Sequence, residues 1–142
     1  MRANRSTDQQ WPRRIAVTGA CGYLGSALLQ SLAGVPGNSD LVVRILDNFE
    51  SGRPEALTGL PDHFGYKVLE GDILDRSALR MVLDEVDTVV HLAASVRTPF
   101  SFENPVWIEQ VNHWGTANVV ETAIEAGVPR FVYASSAAVY GP

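Results

Sequence analysis

The chain has 142 residues, a formal net charge of −5 and a single cysteine. That length supports one domain with its own core, and the mixed charge pattern offers no basic face for nucleic acid. Cys21 alone excludes an internal disulfide and fits a reducing, cytoplasmic compartment, and the polar residues 1–12 have no apolar run of the kind that makes a signal peptide or membrane anchor.

Residues 1–12 read as a flexible segment, and residues 13–142 as one α/β unit. Ile15-Ala16-Val17 is an apolar strand that runs directly into Thr18-Gly19-Ala20-Cys21-Gly22-Tyr23-Leu24-Gly25. This is the pattern of a strand turning into a helix around a bound pyrophosphate. Gly19 allows the tight turn, Gly22 lets the backbone approach the phosphates, and Gly25 lets the helix pack on its strand. The helix then aims its N-terminal amides at the anion. An ordinary glycine-rich turn is the plain alternative. Cys21 reads as a small spacer beside the cofactor, since no CxxC partner supports a redox role.

Leu24, Leu28, Leu29 and Leu32 recur at helical spacing and stop at Gly34 and Pro36. A second strand, Leu41-Val42-Val43-Arg44-Ile45-Leu46, ends in Asp47. An acid at about this offset from the glycine turn accepts from the adenosine ribose hydroxyls and favours NAD, because the 2′-phosphate of NADP meets a like charge. Arg44 and Arg53 keep NADP open, and a solvated strand end is the plain reading of Asp47. Residues 48–62 form a loop with one helical turn. Tyr66-Lys67-Val68-Leu69-Glu70 is the third strand, closed by Gly71-Asp72. Asp75 caps a helix with Leu79, Val82 and Leu83 inside. Asp87-Thr88-Val89-Val90-His91-Leu92 is the fourth strand. Asn104-Pro105 opens a long helix through Val111, Val119, Val120, Ala123 and Ile124 to Gly127, and Arg130-Phe131-Val132-Tyr133-Ala134 is the fifth strand. Strands separated by helices pair in parallel, which predicts a doubly wound parallel sheet of order 3-2-1-4-5 with ligands beyond the strands' carboxyl ends.

Thr18-Gly19-x-x-Gly22-x-x-Gly25, Asp47-Asn48, Gly71-Asp72-Ile73, His91-Leu92-Ala93-Ala94, Asn112 and Ser135-Ser136-Ala137-Ala138-Val139-Tyr140-Gly141 together resemble the extended short-chain dehydrogenase/reductase family. Within it the likeness is to the nucleotide-sugar branch, the group of the UDP-galactose 4-epimerases. The resemblance covers the chain from about Arg13 onward. It implies a homodimer, a nucleotide-sugar substrate and NAD held by Gly19, Cys21, Gly22, Tyr23, Leu24, Gly25, Asp47, Asn48, Asp72, Ile73, Leu92, Ala93, Ala94 and Asn112. In physical terms, Asp72 accepts from the adenine amino group while Ile73 packs on the ring, with a turn cap as the plain alternative. The small residues after His91 leave room for the cofactor, and His91 itself reads as a buried structural histidine. Asn112, a mediocre helix former, matches an asparagine that holds the family's active-site region. Trp107, His113 and Trp114 read as packing or subunit contacts.

By the same resemblance Ser136 is the catalytic Ser/Thr, hydrogen-bonding the oxygen that is oxidised or reduced, and Tyr140 is not the base. The family's base is a tyrosine in a Tyr-x-x-x-Lys helix. Lys67 is the only lysine here, and no tyrosine precedes it by four residues. The expectation is therefore an N-terminal part, incomplete at its C-terminus and inactive alone, of an NAD-dependent epimerase acting through a transient 4-keto sugar. Dehydratases of the branch carry an acid soon after the Ser/Thr, where this chain has Ala137-Ala138. A reductase or dehydrogenase, a sugar-nucleotide dehydratase, and a dinucleotide sensor without catalysis are the alternatives.

Overall fold

A computed structural model describes residues 12–96 and 104–141. Five parallel strands, β1 (Arg14–Thr18), β2 (Val42–Asp47), β3 (Gly65–Glu70), β4 (Thr88–His91) and β5 (Arg130–Tyr133), form one sheet in the order β3-β2-β1-β4-β5. This is the doubly wound order expected from the alternation of strands and helices.

Alternation along the strands supplies a core on each face. Ile15, Val17, Val43 and Ile45 are buried on one face against Leu29 and Ala33 of α1 (Tyr23–Ala33). Ala16, Leu46 and Val89 are buried on the other, with Leu79, Val82 and Leu83 of α2 (Arg76–Leu83). The helix that follows Asn104 covers the same face. It begins as α3 (Pro105–Glu109), passes through a π-helical segment (Gln110–Gly115) and continues as α4 (Thr116–Glu125). Both predicted caps are made. Asp75 accepts from the Ser77 amide at 2.8 Å, and Asn104 accepts from the Trp107 amide at 3.2 Å. Each such cap contributes about 1 kcal/mol.

The structure corrects several details. Leu24 does not face the core: it is 60% exposed, and Gly25 takes the inward place in the first turn of α1. Ile124 is likewise outward at 73% exposure, while Thr122 is buried beside Ala123. The π segment shifts the register of the long helix by widening one turn, so a uniform 3.6-residue count carried across it points at the wrong side chains. Leu41 precedes β2, and Asp47 belongs to it. Asp87 and Leu92 flank β4. Every residue of β5 is exposed, unlike the buried central strands. Trp107 packs against the core, and Trp114 is exposed. Among the described residues no helix is long and apolar enough to cross a membrane.

Parallel pairing brings the strands' carboxyl ends to one edge. Thr18 stands opposite Leu46 and His91, and His91 opposite Tyr133. The loops that leave this edge build the site.

Candidate functional site

The turn after β1 is built around two glycines that nothing else replaces. Gly19 has φ 70°, the left-handed region, and a Cβ on it would lie 2.6 Å from the Ala93 nitrogen. A Cβ on Gly25 would lie 2.5 Å from Ala20 Cα and from the Gly19 and Ala20 oxygens. The turn thus presses on the end of β4 on one side and on its own helix on the other. Gly22 is the N-cap of α1 and supplies no side-chain cap, so the first-turn amides face outward without a side-chain acceptor. That is an anion-binding end of a helix.

Asp47 closes the groove at the end of β2. It is only 7% exposed, so it is not a solvated strand end. One oxygen accepts from the Cys21 amide at 2.8 Å and the other from the Phe49 amide at 2.9 Å, where Phe49 has φ 55°. A carboxylate offers about four lone-pair directions, so two remain for hydroxyl donors. Arg53 adds a backbone bond to the Cys21 carbonyl at 3.3 Å. The Cys21 thiol is pushed up to about 11 by burial and by the Asp47 charge, which keeps it protonated and inert. Arg44 is turned away from this end: its guanidinium donates to the Met81 and Asp84 carbonyls at the C-terminus of α2.

Asp72 makes the turn cap, accepting from the Leu74 amide at 2.8 Å, and its second oxygen accepts from the Asn48 side chain at 2.9 Å. Asn48 lines the groove above it. Ile73 is buried and packs where Gly115 has no side chain.

These parts enclose a groove of about 360 Å³ lined by Gly19, Gly22, Tyr23, Leu24, Gly25, Asp47, Asn48, Ile73, Leu92, Ala93 and Ala94, with Glu50, Ser51 and Gly52 beside them. Cys21 and Asp72 stand behind it and hold Asp47 and Asn48. A second cavity of about 590 Å³ shares Leu24, Leu92, Ala93, Ala94, Ser95 and Val96 with the first. It continues to His91, Asn112, Thr116, Tyr133 and Ser136. Ser136 is exposed at its rim, just before a 3₁₀ turn (Ala137–Tyr140) on which Tyr140 is 89% exposed.

The partition between the cavities is held from the π segment. Asn112 Oδ1 accepts from the Ser95 amide at 2.8 Å, and Asn112 Nδ2 donates to the Ser95 carbonyl at 2.9 Å. Both ends of the Asn112 amide are thus engaged on one residue of the loop after β4. The widened turn supplies the reason an asparagine sits within this helix.

The groove has the form and donors of a dinucleotide site: a glycine turn, an uncapped helix end, a buried acid one strand away and an apolar wall. Sequence comparison decides the family. A model of the NAD-dependent epimerase/dehydratase family matches residues 15–142. The chain belongs to that family.

Members of the epimerase/dehydratase family with similar sequences carry both activities. The chain is 35% identical over 128 residues to dTDP-glucose 4,6-dehydratase of Streptomyces griseus, covering 89% of this chain and 39% of that protein. It is 38% identical over 135 residues to UDP-glucose 4-epimerase of Erwinia amylovora, covering 89% and 38%. The fold is similar to UDP-glucose 4-epimerase from Brucella ovis in complex with NAD, with a TM-score of 0.78, 28% identity and coverage of 92% of this chain and 38% of that one. The chain therefore spans about two-fifths of the length of these relatives.

Two features of the family member's site were not read from sequence. Ser95 was missed as the anchor of Asn112, since a serine after a strand carries no spacing signal. Glu50 to Gly52 also line the groove, and their direct succession to Asp47-Asn48 is the signal that points to them.

Proposed function

We propose that the chain forms the NAD-binding part of a nucleotide-sugar 4-epimerase. The observation that carries this reading is the adjacency of the two cavities: the glycine turn and Asp47 lie in one, Ser136 in the other, and the loop from Leu92 to Val96 lines both.

The groove's residues fit NAD. Gly19, Gly22 and the first turn of α1 would hold the pyrophosphate, Asp47 the adenosine ribose, and Asp72 with Ile73 the adenine. When bound, NAD supplies reversible acceptance of a hydride. Asp47 disfavours the 2′-phosphate of NADP by charge, and the Arg44 guanidinium is held away at α2. Ser136 is the polar hydroxyl that would hydrogen-bond the sugar oxygen whose carbon changes oxidation state. Ala93 and Ala94 line both cavities with small apolar side chains, which would leave room for a flat ring between the glycine turn and Ser136. No tyrosine of this sequence has a lysine four residues on, so none of its tyrosines is assigned as a phenol base.

Epimerisation is favoured over dehydration because Ala137-Ala138 follow Ser136 and supply no acid to protonate a leaving hydroxyl. The test is to incubate the product of the complete reading frame with NAD and, separately, UDP-glucose and dTDP-glucose. A 4-epimer without a 4-keto-6-deoxy product supports the reading, and the 4-keto-6-deoxy product overturns it.

A further inference from the structure

His91 is buried to 1% exposure, and each ring nitrogen has its own partner on a different element. Nδ1 lies 2.6 Å from Thr18 Oγ1 at the end of β1, and Nε2 lies 2.9 Å from Thr116 Oγ1 at the start of α4. The ring is stacked on Tyr133 at a centroid distance of 5.8 Å and an interplanar angle of 20°. A buried imidazole has two ring nitrogens to satisfy, and here the partners stand on two different elements. Here the two bonds lead to the two cavities.

On the Nδ1 side, Thr18 Oγ1 also accepts from the Ala93 amide at 3.5 Å, and the Thr18 carbonyl accepts from the Leu92 amide at 3.0 Å. Thr18 precedes Gly19, whose Cα sits directly against Ala93. The Thr18 side chain therefore sets how the glycine turn rests on the end of β4. On the Nε2 side, Thr116 and Tyr133 line the second cavity with Ser136. Thr116 follows Gly115, the residue packed on Ile73, so its position fixes where the π segment ends.

We propose that His91 is a positioning residue with a separate task for each ring nitrogen: through Thr18 it sets the glycine turn of the dinucleotide groove, and through Thr116 it sets the wall of the cavity that faces Ser136. This rests on the epimerase reading for what the second cavity binds, but not for where His91 acts. The neutral imidazole has one donor and one acceptor nitrogen on opposite sides of a rigid ring, so it can serve a hydroxyl on each side at once.

Asparagine and glutamine separate the two tasks. The Asn amide reaches the position of Nδ1 and keeps the Thr18 bond, while the Gln amide reaches that of Nε2 and keeps the Thr116 bond. In the product of the complete reading frame, His91→Asn should leave the Kd for NAD within about threefold and lower kcat for UDP-glucose about 10- to 100-fold, the scale of a reacting group held slightly out of place. His91→Gln should weaken NAD at least about fivefold, the scale of one lost hydrogen bond, with a smaller loss of kcat at saturating NAD than His91→Asn shows. Amide hydrogen exchange without any ligand should follow the same division. His91→Asn should speed exchange around residues 112–118 and not around 19–25, and His91→Gln the reverse. Thermal unfolding of both variants measures the common loss of packing.

If both variants change both segments in parallel, in proportion to their loss of melting temperature, His91 is a packing residue and the proposal is overturned. Since the exchange pattern needs no nucleotide sugar, a protein that turns over no UDP-glucose but shows the divided pattern contradicts the epimerase reading and leaves the placement of His91 standing.

Discussion

The Asp47 carboxylate and the Cys21 amide are 2.8 Å apart, across 26 residues of sequence and from the end of one strand to the glycine turn of another. This bond makes the acid part of the turn's construction as well as a wall of the groove. It also fixes the environment of the Cys21 thiol, which is buried and faces that negative charge.

The thiol should therefore be unreactive. With its pKa pushed up to about 11 by burial and by Asp47, almost none is thiolate at pH 8. Labelling by a disulfide reagent should be slow in native buffer and rapid in denaturant. Fast native labelling would show that the turn is open.

Gly25→Ala should damage the fold. A methyl group 2.5 Å from the Ala20 backbone has no flexible neighbour to displace, so α1 must move off the turn. The expected cost is about 1–3 kcal/mol, the range of overpacked cores, with a weaker response to NAD. Gly37→Ala is a poor control because of its φ of 86°, whereas Gly34→Ala, with φ −83° and 3.6 Å of clearance, should be nearly neutral. Thermal melts of the two variants make the comparison.

Acid should destabilise the protein through His91. Burial lowers its pKa from 6.5 to about 4, so between these values the unfolded chain binds a proton that the folded one does not. Stability is then fully present above pH 6.5 and falls as the pH drops toward 4, with a slope of at most about 1.4 kcal/mol per pH unit from this group. Urea unfolding from pH 7 to 4 measures it. His91→Gln should flatten the slope, and an unchanged slope would assign the effect elsewhere.

Much of this site is legible in the sequence because backbone constraints leave residue-type signatures. Gly19 and Gly25 are required by a left-handed φ and by close contact, and Asp75 and Asn104 by unpaired helix amides. Parallel pairing follows from the alternation of strands and helices, and the order 3-2-1-4-5 goes with a glycine turn after the first strand. What stays hidden depends on tertiary partners. The outward turn of Leu24 reflects its place over two cavities, which outweighs its apolar spacing. The π segment arises where Asn112 reaches Ser95, a contact across 17 residues that no local period records. Thr18 and Thr116 look like any strand or helix threonine until His91 stands between them.

Ser136 and Tyr140 should separate in activity. Ser136 lines the second cavity, and Tyr140 is 89% exposed on the turn beyond it. In the product of the complete reading frame, Ser136→Ala should lower kcat by about 10²–10⁴ with NAD affinity nearly unchanged. Tyr140→Phe should have a much smaller effect. Steady-state kinetics with UDP-glucose distinguishes the two, and a larger loss from Tyr140→Phe would reverse the assignment.

The most direct measurement is calorimetric titration of the protein with NAD and with NADP, repeated on Asp47→Ala. One NAD should bind per chain, more tightly than NADP, and Asp47→Ala should cost about 1.5–3 kcal/mol of NAD binding, the scale of hydrogen bonds to a charged group. No binding of either dinucleotide, or NADP binding as tightly as NAD, would contradict the assignment of the groove between the glycine turn and Asp47.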